Sequence, residues 1–412
     1  MDGLDAHRMI DVENRILAST YSKIPIVAVR GRGARIWSID GREYVDCMGG
    51  YGVALVGHCH PRIVEAIRKQ SEKLIVCHGS IYNDARAEFL EKLISIAPKG
   101  LDKIFLSNSG AEAVEAALKI ARKYTGRKVF VSMMGGYHGK TMGALSVTWR
   151  EDYRRPFEPL IGEIKFAPYG DIDKLKSLAT DDVAAIIIEP VQGESGVRIP
   201  PDGYLKEVRE LCDEKGILLI FDEVQCGLGR TGKMWASQHW GIAPDILCVA
   251  KGLASGIPIG ATIAPREVMD KLSVGEHTST FGGNPIACAA GSATIDVLLT
   301  EKLPDRAWEY GCIFKRMLED KLSEYKVVRE VRGLGLMIAF DLRLPAVKDI
   351  VLGAAANGLL ILYSGRTTIR LLPPLVIGRE EIEFAVSVLE KLVASEEEKF
   401  KARMQAKPPK EE

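Results

Sequence analysis

The chain has 412 residues, and its 55 Lys plus Arg balance 55 Asp plus Glu, so no global basic field draws it to nucleic acid. That length suits two or three domains, or one large α/β domain with a smaller companion, and buries a substantial core. No apolar run reaches membrane-spanning length, and the acidic start "MDGLDAHRMIDVENR" lacks the apolar stretch of a secretory signal, so a cytoplasmic location is expected. The eight cysteines (47, 59, 77, 212, 226, 248, 288 and 312) include no CxxC pair, and several sit in apolar runs, which reads as free thiols in a reducing compartment.

Taken in chain order, residues 1–59 are expected to pack with a small C-terminal domain. Their end, "GHCHP" (57–61), places His58, Cys59 and His60 side by side, but consecutive residues chelate one ion poorly and no second His/Cys cluster follows, so no metal is expected. From 60 to 295 short β-branched runs alternate with helical patterns. The strand candidates are "KIFLSN" (103–108), "KVFVSM" (128–133), "AAIIIEPV" (184–191), "ILLIFDEV" (217–224) and "DILCVA" (245–250), with helices at 109–126 and 203–216. Continuous apolar strands in a βαβ rhythm predict a mainly parallel sheet with helices on both faces. Beyond about residue 295 helices and shorter strands, "VVREVRGLGLMIAFDL" and "TTIRLLPPLVI", predict a smaller α+β domain over 296–395. The polar stretch 396–412 reads as a fraying helix end followed by disorder.

Ligands of such sheets bind beyond the carboxyl ends of the strands, and the unusual residues stand there: Ser109, Tyr137, Glu189, Asp222 and Lys251. "GGYHGKT" (135–141) ends like a phosphate-cradling P-loop, but that motif needs glycine at 134, where the chain has Met134. A nucleotide-binding protein is therefore disfavoured. Ser109-x-x-Glu112 has capping-box spacing, so a helix N-terminus with free N–H groups opens directly after a strand, which suits a phosphate. Asp222 ends an apolar strand and needs a cationic partner, a ligand atom or an arginine of the chain. Lys251, after another buried strand, is either a lowered-pKa nucleophile or a strand-end lysine reaching for water. Together a phosphate cradle, an aromatic plate, a carboxylate and an amine match pyridoxal 5'-phosphate.

With these motifs in order, joined by "EPVQGESG" (189–196), "DEVQCGLGRTG" (222–232), "AKG" (250–252), "TSTFGGNPIACAA" (278–290) and "IRLLPP" (369–374), the sequence resembles the class III (ω-amino acid) aminotransferases of PLP fold type I from Tyr21 to Val393. Within that family "SVTWREDYRRPFEPLIG" is most similar to acetylornithine, acetyl-lysine and carrier-linked lysine/ornithine aminotransferases. The resemblance implies transfer of a terminal amino group to 2-oxoglutarate, giving a semialdehyde and glutamate. It implies that Lys251 holds the cofactor and shuttles a proton, that Asp222 pairs the ring nitrogen, and that Gln225 meets the ring hydroxyl. Val224 and Tyr137 would flank the ring, and Gly110 and Ala111 would bind the phosphate. Thr280 would reach the phosphate of a partner subunit, making the sites of a homodimer shared, with Ser279 beside the substrate. Glu194 would cover Arg370 while the amine donor binds and release it to grip glutamate; a permanent ion pair is the alternative reading. Lys140, Tyr21 and Tyr51 are further substrate contacts, and carrier-linked donors would bring an amino-group carrier protein as partner. Two departures leave the donor open. Lys140 stands where close relatives carry arginine, and Tyr51 stands where acetylornithine-type members have an aliphatic residue and ornithine δ-aminotransferases a tyrosine. A 4-aminobutyrate, free ornithine or putrescine aminotransferase is the alternative, and a fold-type-I racemase or aminomutase a more distant one.

Overall fold

The computed structural model describes residues 5–405. A helix, Ala6–Ile16, leads into three antiparallel strands, β1 (Ala28–Arg32), β2 (Arg35–Ser38) and β3 (Glu43–Asp46). The apolar runs of the middle segment form β4 (Lys103–Ser107), β5 (Val129–Met133), β6 (Ile164–Ala167), β7 (Val183–Ile188), β8 (Leu218–Asp222), β9 (Ile246–Val249) and β10 (Gly260–Ala264). They make one seven-stranded sheet in the order β4-β10-β9-β8-β7-β5-β6. Every pairing is parallel except those of β10, which runs antiparallel to both β4 and β9. The sheet is therefore mixed, and β6 and β10 are the two strands the hydrophobic pattern did not single out. Each is short, and "GATIA" begins with glycine and carries a central threonine.

Alternation along these strands feeds two cores. Phe130, Ile187, Ile220, Ile246 and Cys248 face the helix Gly110–Thr125, whose inner side is Ala113, Val114, Ala116, Ala117, Ile120 and Ala121. The small residues let that helix ride close on the sheet, which fixes its N-terminus beside the end of β8. Val131, Met133, Ile186, Ile188, Leu219, Phe221 and Leu247 face the other way, against the helices Tyr204–Lys215 and Pro285–Thr300. Each such side chain contributes about 1.5–3 kcal/mol on full burial.

The remaining strands are β11 (Val328–Leu334), β12 (Met337–Leu342), β13 (Leu359–Leu360), β14 (Leu362–Ser364) and β15 (Thr368–Leu371). A four-stranded sheet β11-β12-β15-β14 forms the smaller lobe, and β13 pairs in parallel with β3, tying residues 43–46 to 359–360. No helix among the described residues is long and apolar enough to cross a membrane.

The expected tail is corrected in its first part. The final helix runs Arg379–Gln405 and so continues through 396–405. Glu396 and Glu397 are buried, and the Glu397 carboxylate accepts the Val327 N–H at 2.7 Å, so one apparent tail charge anchors the helix to the start of β11 while Glu396 pairs with Lys399 on the same helix. Residues 1–4 of the expected N-terminal segment and 406–412 of the tail lie outside the described residues. Glu397→Ala leaves that N–H buried without an acceptor and is expected to lower stability by about 1–3 kcal/mol, read from denaturant or thermal unfolding.

Candidate active site

The helix Gly110–Thr125 starts one residue after a capped turn. Ser109 is extended (φ −153°, ψ 165°), its Oγ accepts the Glu112 N–H at 3.2 Å, and the Asn108 N–H donates to the Glu112 carboxylate at 2.9 Å. The cap is formed, with the Glu112 carboxylate reaching back to the Asn108 N–H and the Ser109 hydroxyl rather than to the Ser109 N–H of a full capping box. It leaves the Gly110 and Ala111 N–H groups without an acceptor among the described residues. A Cβ on Gly110 would lie 2.8 Å from Val224 Cγ1, so any larger residue would fill the space above the helix end.

The loop after β5 wraps over that end. Gly135 (φ +83°) and Gly139 (φ +132°) hold backbone conformations that favour glycine, and a Cβ on Gly139 would meet Ala111 Cβ at 2.7 Å. The Thr141 hydroxyl donates to Glu115 at 2.6 Å, and Glu115 also accepts the Gly143 N–H at 2.8 Å. The "GKT" hydroxyl thus closes the loop and takes no part in the cavity. Lys140 is exposed, with Nζ 4.4 Å from the Tyr153 ring centre.

Asp222 at the end of β8 is buried. One oxygen meets His138 Nδ1 at 2.7 Å and the other accepts the Val224 N–H at 3.0 Å. No local pattern in the sequence marks His138 as the partner of Asp222; the contact depends on β5 and β8 lying one strand apart. Glu189, beyond β7, is also buried and accepts the Tyr137 and Gly193 N–H groups at 2.8 and 3.0 Å. Burial pushes its carboxyl up to about 7, with the His138 ring opposing. Tyr137 is half-buried, and burial with the Glu194 charge pushes its hydroxyl up to about 12.

Lys251 follows β9 at φ +48°, an uncommon conformation for a side chain of its size, and is half-buried at the cavity wall. Burial pulls its amine below the ordinary lysine value; Glu194 and Asp222 oppose this and the Arg370 charge adds to it. Arg370, on β15 between Ala339 and Leu362, is fully buried. It donates to Glu194 at 2.9 Å and to the Gln225 amide oxygen at 2.7 Å. Burial works to raise the Glu194 carboxyl, but Arg370 and then Lys251 hold it below the usual range. The Glu194 segment is fastened from the smaller lobe, where Ser364 donates to the Glu194 carbonyl and Arg332 to the Gly196 carbonyl at 2.8 Å.

Gly110, Ala111, Tyr137, Lys140, Glu194, Asp222, Val224, Gln225 and Lys251 line one cavity of about 220 Å³, together with His138, Gly139 and Glu189. Five expected site residues lie outside it, one of them Arg370, which reaches the cavity wall through its bonds to Glu194 and Gln225. Ser279 is tied to Asn108 (3.1 Å) and the Gly282 N–H (3.0 Å), and Thr280 is exposed. Tyr21 is 74 % exposed. Tyr51 is 48 % exposed, and burial followed by the charge of nearby Glu194 raises its hydroxyl. His58 and His60 each face a carboxylate, Asp46 at 2.7 Å and Glu301 at 3.1 Å. A second cavity of about 210 Å³ adjoins the first across Tyr137 and Glu194 and is walled by Trp149, Arg150, Ser195, Ser364 and Gly365.

The family model for class III aminotransferases matches residues 16–393. An acetylornithine aminotransferase of Methanopyrus kandleri is 48 % identical over 387 residues, 94 % of this chain and 98 % of that protein. A [LysW]-aminoadipate semialdehyde transaminase of Deinococcus radiodurans is 43 % identical over 390 residues, 94 % of this chain and 90 % of that one. Among solved structures, an ornithine aminotransferase of Toxoplasma gondii with PLP at partial occupancy in its active site superposes with a TM-score of 0.92 at 36 % identity, covering 96 % of both chains.

Proposed function

The chain belongs to the class III aminotransferases, and from that footing we propose that it moves the terminal amino group of an acylated or carrier-linked ornithine- or lysine-type donor to 2-oxoglutarate. The observation that carries this reading is the pairing of a fully buried Arg370 with the less buried Glu194 on the wall that also holds Lys251. One site must take a donor with no carboxylate next to its reacting carbon and then glutamate, which has one. A buried guanidinium needs a counter-charge in both states. Glu194 supplies it for the donor, and the α-carboxylate of glutamate supplies it when Glu194 moves aside.

The cofactor of the family is pyridoxal 5'-phosphate. The residues present fit it: unpaired N–H groups at a helix start for a phosphate, a space above Gly110 that a Cβ would fill, a buried carboxylate for a cationic ring nitrogen, and a lowered lysine for an aldehyde. When bound, the group supplies an electron-withdrawing ring that stabilises negative charge at the substrate carbon. Asp222, steadied by His138 and the Val224 N–H, would face the ring nitrogen. Val224 and Tyr137 would confine it from two sides, and Gln225, whose amide oxygen accepts from Arg370, would offer its amide N–H to the ring hydroxyl. Lys251 Nζ, favoured in its neutral form by burial, takes the proton from the amine-bearing carbon and returns a proton on the same side.

Class III aminotransferases are generally dimeric and use 2-oxoglutarate and glutamate. We read Thr280 as a contact to the partner subunit's phosphate. Exposed Phe281, Ile75, Val76, Ile81 and Tyr82 support an interface there, since Asn284 ties this segment to the Ile75 carbonyl at 3.0 Å. A carrier protein presenting the donor and a cytoplasmic setting, in keeping with the free thiols, complete the reading. Lys140 is a point charge where a planar fork would bind a carboxylate in two hydrogen bonds. Lys140→Arg is expected to lower the KM for 2-oxoglutarate about three- to tenfold; an unchanged KM in both half-reactions would remove Lys140 from the substrate site. The reading as a whole is tested by comparing kcat/KM for Nα-acetylornithine, acetyl-lysine, carrier-linked lysine, ornithine, 4-aminobutyrate and putrescine.

A further inference from the structure

Beyond Tyr137 the second cavity has a mainly apolar wall and two charged residues, Arg150 and the Glu194 it shares with the first cavity. Trp149 forms part of that wall; its backbone N–H donates to the Gly136 carbonyl at 2.9 Å, tying the chain there to the loop after β5, and its ring packs edge-on to Phe166 at 5.1 Å. Ser364 and Gly365, from the turn between β14 and β15, form the opposite wall. Ser195 donates to Gln192 at 2.9 Å. Arg150 stands at this cavity without a carboxylate partner among the described residues; its one side-chain hydrogen bond is to the Tyr153 hydroxyl at 3.2 Å. Its guanidinium carbon lies 4.9 Å from the Tyr153 ring centre, the ring that also receives Lys140 Nζ. Two uncompensated cations therefore gather on one aromatic ring, one at each cavity, whereas the third cation, Arg370, is already neutralised by Glu194.

That contrast separates two kinds of anion site. Arg370 is gated. Lys140 and Arg150 are open, and Tyr153 orients both without neutralising either. An occupant that extends from Lys251 past Tyr137 would meet first a cation and then an apolar chamber. A free ω-amino acid has nothing to place in that chamber. An Nα-acylated one carries a carboxylate and a neighbouring amide with an apolar tail.

We propose that the chamber between Trp149 and Ser364 is a subsite for the acyl end of the donor and that Arg150 pairs the carboxylate beside it, supplying the guanidinium fork that position 140 lacks. This rests on the acylated-donor reading above and adds to it the residues that select such a donor.

Three donors of equal reach separate the contributions: Nα-acetylornithine has carboxylate and acyl group, 5-aminopentanoate the carboxylate alone, and pentylamine neither. In Arg150→Ala, kcat/KM is expected to fall about tenfold for the two carboxylates relative to pentylamine, as loss of a charge-assisted hydrogen bond at an open site predicts. Arg150→Lys is expected to restore part of it. In Trp149→Ala the loss should fall on Nα-acetylornithine relative to 5-aminopentanoate. Nα-acetylnorvaline, which lacks the reacting amine, gives a readout without turnover: its Kd by calorimetry should rise about tenfold in Arg150→Ala. Equal losses for all three donors, or no loss for any and an unchanged Kd, would overturn the proposal. A wild-type enzyme that fails to convert Nα-acetylornithine would instead overturn the acylated-donor reading on which it rests.

Discussion

Lys251→Ala is expected to abolish amino transfer, lowering kcat by more than about four orders of magnitude in both half-reactions, because one side chain is both the amine that holds the cofactor and the base that moves the proton. The two roles place opposite demands on a lysine. It must be nucleophilic at neutral pH, which the cavity supports by partial burial and the nearby Arg370 charge, and it must stay close to the carboxylates Glu194 and Asp222. The strained backbone at φ +48° holds the amine in the cavity without a hydrogen bond of its own among those described. Borohydride reduction of the wild-type holoenzyme followed by peptide mapping should label Lys251 and no other lysine. The alanine variant should lose both the label and the yellow colour while its folded spectrum persists. A labelled peptide elsewhere would transfer the role to another residue.

Arg370→Ala is expected to remove the glutamate half-reaction selectively. A buried guanidinium that hydrogen-bonds a carboxylate contributes about 2–5 kcal/mol, so kcat/KM for glutamate and 2-oxoglutarate should fall between roughly thirtyfold and several thousandfold. The ω-amine half-reaction should lose far less, since for that substrate the arginine is only covered. Glu194→Gln predicts the reverse asymmetry. The amide still accepts a hydrogen bond but leaves Arg370 uncompensated, so the amine donor is penalised and glutamate, which brings its own carboxylate, is tolerated. Parallel losses in the two half-reactions in both variants would mark the pair as a permanent structural bridge. Thermal unfolding of each variant separates that outcome from simple loss of fold.

Much of this site is legible in the sequence because it lies on local patterns. Continuous apolar runs fix the strands, and Asp222 and Lys251 are the conspicuous polar residues at their ends. Ser109 and Glu112 announce a helix start three residues apart, and the structure forms that cap. What local patterns do not carry is the meeting of distant segments. His138 and Asp222 are 84 positions apart and Arg370 and Glu194 176 apart. The second of these pairs was reached through family resemblance, and the first was not reached at all. Arg150 and Trp149 lie in a loop with no periodic signal, and their chamber exists only because the turn at Ser364 and Gly365 approaches from the other lobe. The tail misled for a similar reason: Glu397 looks like a solvated charge until the start of β11 is laid against it. Strand β10 was missed because its antiparallel course between β4 and β9 needs no helical crossover and so leaves no βαβ rhythm.

The most direct test of the account is a two-step single turnover. Holoenzyme is mixed with Nα-acetylornithine in the absence of any keto acid, and 2-oxoglutarate is added once the cofactor spectrum has changed. The account predicts release of one semialdehyde per site in the first step, then one glutamate per site with return of the original spectrum in the second. No conversion by the acylated donor, together with full conversion by 4-aminobutyrate or free ornithine, would contradict it.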